Sequence, residues 1–125
     1  MRIGYKYVKT ADGRPAIAKL EILGKVYEGP FDGGNQKRRA SKVRVLEIYL
    51  MEKNRFSRFV RPRKGKVFVK EAFSPIAGRG TVGGTKLTYR PGDVKVVRNF
   101  YTGSETCAAG IHFFNKVDEA CDYAG

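Results

Sequence analysis

Ala16-Ile17-Ala18-Lys19-Leu20-Glu21-Ile22 decides the fold class of this chain. Ala16, Ala18, Leu20 and Ile22 alternate with Ile17, Lys19 and Glu21, a period of two that marks a strand with one face on a core. The same period recurs on both sides of it. Strands are predicted over Ile3 to Val8, Lys42 to Leu50, Lys66 to Lys70, Lys86 to Arg90, Val94 to Arg98 and Gly110 to Phe114. Their separators are rich in turn formers: Asp12-Gly13, Gly29-Pro30, Asp32-Gly33-Gly34, Gly83-Gly84 and Pro91-Gly92.

Only the end of the chain changes period. Val117, Ala120, Cys121 and Ala124 fall at i, i+3, i+4 and i+7, with Asp118 and Glu119 in the first turn and Asn115 as the expected N-cap. Short strands followed by one short helix predict a mainly β (α+β) fold, a small twisted sheet or partly closed barrel. Residues 1–125, with 42% apolar content, are expected to form one domain that buries about two thirds of its unfolded surface. A basic and Gly-rich elaboration stands around residues 52–85.

Charge supplies the functional clue. Thirteen of the 25 Lys and Arg residues lie between Lys37 and Lys70, opposed only by Glu47 and Glu52, so 34 residues carry 13 − 2 = +11 of the net +13. The other 91 residues carry 12 bases and 10 acids, or +2. Concentration of this kind is the footprint of a polyanion binder, the bland alternative being a solvated basic face. Arg38, Arg39, Lys42, Arg55, Arg58, Arg61, Arg63, Lys64 and Lys66 are the expected phosphate contacts.

Within Arg55 to Lys70, alternation turns Val67 and Val69 to the core and sets Phe68 between Lys66 and Lys70 on the opposite face. An outward Phe flanked by lysines is a base-stacking platform beside phosphate clamps, the chemistry of single-strand binders. Phe56, Phe59 and Phe68 are the stacking candidates; each also fits a core role. Lys64-Gly65-x-x-Phe68-Val69 echoes only part of an RNA-recognition signature.

Gly78-Arg79-Gly80-Thr81-Val82-Gly83 satisfies G-x-G-x-x-G, yet lacks the preceding strand and following helix of a dinucleotide site. It is expected to be a loop whose N–H groups, with Arg79, can approach a phosphate. Catalysis finds little support. His112 is the only histidine, and its spacing to Cys107 and Cys121 matches neither a nucleophile–base pair nor a zinc site, so His112 is expected to be structural. No metal and no cofactor is called for. Two cysteines fit a reduced compartment better than a disulfide framework. With no apolar h-region and no membrane-length apolar run, the expected location is the host cytoplasm.

The C-terminal half resembles a family of small domains of unknown function found in phages and large DNA viruses, sometimes beside pentapeptide repeats. Cys107-x-x-Gly110-Ile111-His112-Phe113-Phe114, with Glu119-Ala120-x-x-Tyr123 after it, carries the likeness. Tyr89-x-x-Gly92-x-Val94-Lys95-Val96 is similar too, although Lys95 stands where the family favours an apolar residue. Ala18-Lys19-Leu20-Glu21-Ile22 and Arg39-Ala40-Ser41-Lys42-x-x-Val45-Leu46-Glu47-Ile48 resemble the family's opening strands. Between Glu52 and Thr85 the chain departs from the pattern. The resemblance implies a viral, bacteriophage-type origin and a scaffold, with no activity and no site residues to carry over.

The leading expectation is a phage-encoded, non-enzymatic binder of nucleic acid or phosphate-rich nucleotides. The alternative is an anti-defence protein, either a sponge for a nucleotide immune signal or an inhibitor docking on an acidic host protein.

Overall fold

The computed structural model describes residues 1–27, 38–53, 60–62, 66–74, 88–97 and 111–124. Its strands are β1 (Ile3–Lys9), β2 (Pro15–Ile22), β3 (Val26–Tyr27), β4 (Arg38–Ala40), β5 (Lys42–Lys53), β6 (Val60–Pro62), β7 (Ala72–Phe73), β8 (Thr88–Tyr89), β9 (Val94–Val96) and β10 (Ile111–Phe113). One helix, α1 (Val117–Ala124), follows. The fold is mainly β, as the alternation predicts. Two antiparallel sheets form: a large one in the order β6-β5-β2-β1-β7-β8 with β9 also on β5, and a small one in the order β10-β4-β3. Among the described residues the strands close no barrel.

β2 is the middle of the large sheet because both of its faces are apolar at one end. Ala16, Ala18 and Leu20 join Val8, Val43, Val45, Ile48 and Leu50 in one cluster, which the small sheet covers with Ala40, Ile111 and Phe113. Ile17, expected on the polar face, is instead fully buried on the other side with Tyr49, Met51, Phe114, Ala120 and Cys121. The reason is α1, which packs over β1, β2 and β6 and gives that face its own apolar cover. Sheet alternation and helical period meet here, each supplying half of a second core.

β5 keeps its inward face through a bulge. Its pairing with β2 slips between Lys19 and Leu20, which oppose Glu47 and Val45 and leave Leu46 as the extra residue. Buried positions therefore run Val43, Val45, then Ile48 and Leu50, and the phase changes without exposing the core. A turn at Pro91-Gly92 is held there: Gly92 N–H donates to the Val45 carbonyl at 2.7 Å, and Val45 N–H donates to the Asp93 carbonyl at 2.8 Å. Gly92 has φ +91°, a conformation that favours glycine.

Three separate pieces of chain line the outer edge of β5. β9 pairs with Lys42–Arg44, residues 67–69 with 48–50, and β6 with Met51–Lys53. The predicted strand from Lys66 to Lys70 is reduced to this middle piece, a single bridge between Tyr49 and Phe68 with Leu50 N–H donating to the Val67 carbonyl and Val69 N–H to the Ile48 carbonyl, both at 2.9 Å. Val69 packs on the core as expected. Val67 does not: it is 43% exposed, because two backbone bonds do not impose the alternation of a full ladder.

Helix α1 begins at Val117, and Ala120 N–H donates to the Lys116 carbonyl. Asn115, the expected N-cap, instead accepts a hydrogen bond from the Arg2 guanidinium through Oδ1 at 3.2 Å. Ala120 and Cys121 face inward as the period requires. None of the helices among the described residues is long and apolar enough to cross a membrane.

Candidate nucleic-acid interface

The helix-bearing face of the large sheet is apolar at one end and charged at the other. Cross-strand partners define its rows: Tyr7, Ile17, Tyr49 and Phe68; then Tyr5, Lys19 and Glu47; then Glu21, Arg44 and Val94; then Lys42 and Val96. The first row starts beneath α1 and ends at Phe68, which is 59% exposed. Beyond it Lys19, Glu21 and Glu47 are partly buried, and the exposed part of the face is its outer edge. Val94 is 43% and Val96 61% exposed, and Lys42 and Arg44 stand beside them on β5.

Four cations, Lys19, Lys42, Arg44 and Lys66, share this face with two carboxylates, Glu21 and Glu47. Arg44 Nη1 lies 3.0 Å from Glu21 Oε1, and Lys66 Nζ lies 3.4 Å from Glu47 Oε1. Lys66 also sits over the ring of Tyr49, 4.8 Å from its centroid. Lys42 makes no ion pair among the described residues. The half-exposed Lys66–Glu47 pair contributes only about 0–1 kcal/mol, so an incoming phosphate can take the place of that carboxylate at small cost, whereas the Glu21 side chain is only 14% exposed and is the less readily displaced. Burial, with the nearby Tyr5, Cys121 and Glu47, pushes the Tyr49 phenol up to about 12, so it stays neutral under the ammonium.

The sequence-predicted residues divide three ways. Lys42, Lys66 and Phe68 are brought together on the open face. Arg38 and Arg39 belong to the small sheet, where Arg38 is half-buried and Arg39 is fully buried with its guanidinium carbon 4.7 Å from the Tyr27 ring centroid. Arg39 is a packed cation of the small sheet and does not join Lys42, Lys66 and Phe68 on the face of the large one. Arg61 lies on β6, its side chain outside the described residues, as are Arg55, Arg58, Arg63, Lys64, Arg79, Phe56 and Phe59.

Arg44, Val94 and Val96 were not among the residues the sequence singled out. Arg44 shares the alternation of Lys42 and was legible from it. Val94 and Val96 were not, since an apolar alternation ordinarily marks the core side of a strand; here the half-buried Lys95, held 3.7 Å from Asp93, takes the inner side.

His112 lies on β10 opposite Arg39, half-buried between the buried Ile111 and Phe113. Its carbonyl accepts from Lys6 Nζ at 3.2 Å. Cys107 lies outside the described residues. Protein-family models, characterised proteins and solved structures all fail to match this chain.

Proposed function

We propose that this protein is a non-enzymatic nucleic-acid binder, encoded by a phage or large DNA virus and acting in the host cytoplasm, and that the open face of the large sheet is its contact surface. One observation carries the reading: Lys42, Arg44 and Lys66 share a sheet face, exposed along its outer edge, with an exposed phenylalanine, Phe68. Cations alone are ordinary on a surface. A large aromatic ring left in water among them is not, and it fits a ligand that offers both phosphate and a π-face.

The pairing of β6 supports the same surface. Chain leaves β5 at Lys53, returns to it as β6 and docks beside it again at residues 67–69. β6 carries Arg61, so the backbone of this one basic residue stands at the edge that carries Phe68. The resemblance to viral domains supports the setting, and the lack of an organised acid–base or nucleophile motif in the sequence supports a binding role.

The test is the salt dependence of binding to a labelled nucleic acid. Log K should fall linearly with log salt, with a slope corresponding to several released counterions. Lys42→Glu with Arg44→Glu and Lys66→Glu should abolish most of the binding while the fold is kept. Affinity that is flat in salt would overturn the proposal.

A further inference from the structure

The open face carries two parallel rows. Along β5 run the cations Lys42 and Arg44, continued by the Lys66 ammonium over the Tyr49 ring. Along the outer neighbours of β5 run Val96, Val94 and Phe68, each beside one cation: Val96 by Lys42, Val94 by Arg44, and Phe68 by Tyr49 with Lys66 above it. The two rows are about 4.8 Å apart, and alternate residues on one strand stand about 6.6 Å apart.

We infer that this track holds an extended single strand of nucleic acid lying along β5, its phosphates on the cation row and its bases on the apolar row. The inference rests on the nucleic-acid reading above and adds the form and orientation of the ligand. A single strand presents charge along one side and flat apolar faces along the other, and its extended phosphates repeat at about the spacing of alternate strand residues. A duplex stacks its base faces away and would leave Val94, Val96 and Phe68 without partners. A ligand of phosphate or sulfate alone would leave them uncovered in the same way. Val96 and Val94 stand on adjacent rows, but the Glu47 row and the bulge at Leu46 separate Val94 from Phe68, so the track spans about four nucleotides, one of them without an apolar partner, short against the site sizes of larger single-strand folds.

Fluorescence anisotropy with labelled oligothymidine, a duplex of equal length and heparin tests this, using wild type and the triple variant Val94→Ser, Val96→Ser, Phe68→Ala. Single strand should bind wild type at least about tenfold more tightly than duplex, and the triple variant should lose about tenfold or more for single strand while heparin binding is unchanged. Equal binding of single strand and duplex, with no effect of the triple variant, would overturn the track and leave a general nucleic-acid surface. No salt-dependent binding of either nucleic acid would overturn the parent reading as well. Should the variant fold poorly, ultraviolet cross-linking of oligothymidine to wild type decides the point: the cross-linked peptide should contain Phe68, and cross-links confined to other peptides would count against the track.

Discussion

Phe113 and Phe114 are adjacent in the chain yet belong to different hydrophobic clusters on opposite faces of the large sheet. Phe113 fills the interface between the two sheets. Phe114 pairs through its backbone with Tyr5, with N–H to carbonyl bonds of 2.7 and 2.8 Å, and turns its ring beneath α1. These two side chains carry the chain from one core to the other.

Gly4 makes the first placement possible. A Cβ there would lie 2.5 Å from Phe113 Cδ2, so Gly4→Ala must push the ring aside. The expected cost is about 1–3 kcal/mol of folding stability by urea denaturation. Phe113→Leu in the same chain should recover part of it, and strictly additive losses would show that the two sites do not meet.

Glu47 holds Lys66 on the open face. Glu47→Gln should release the ammonium for phosphate, strengthening nucleic-acid binding about two- to fivefold at low salt and steepening the salt slope by up to about one. Weaker binding by the variant would mean that Glu47 positions Lys66 rather than competing for it.

Alkali should expose the burial of Tyr49. An exposed phenol loses its proton near 10, whereas Tyr49 in the fold keeps it to about 12, so its contribution to stability is complete below pH 10 and is lost as pH rises toward 12. Burial pushes Tyr89 up as well, in the same sense. Thermal melts from pH 9 upward should fall less steeply in Tyr49→Phe than in wild type; identical slopes would place the phenol in contact with water.

Cys121 is fully buried, its Sγ 3.6 Å from Met51 Sδ. A thiol reagent followed by peptide mapping should leave Cys121 unmodified in the folded protein and label it fully in urea. Rapid native labelling would mean that α1 lifts readily from the sheet.

The β1, β2, β5 and β10 strands are legible because each buries alternate residues over three or more positions, and β9 is legible from its Val-Lys-Val alternation although both valines face outward. β3, β4, β6 and β7 were not anticipated, being two or three residues long, too short for a period to show. The bulge at Leu46 has no signature in residue type. Alternation alone puts Ile17 on the solvent side, because one strand cannot reveal that a helix a hundred residues later covers its second face. Of the site, the outward Phe68 followed from its place between Lys66 and Lys70. The burial of Arg39 did not, because Arg38 and Arg39 look alike in sequence and differ only in which face of β4 each takes.

The bond between Tyr5 and Phe114 has a consequence for synthesis. On the ribosome, β1, β2 and β5 emerge early and can pair as a meander, but the cover for Ile17, Tyr49 and Met51 arrives only with residues 114–121. Until those residues are made, Ile17, Tyr49 and Met51 lack the partners that bury them in the finished fold. Helix α1 is what gives this second apolar face its cover.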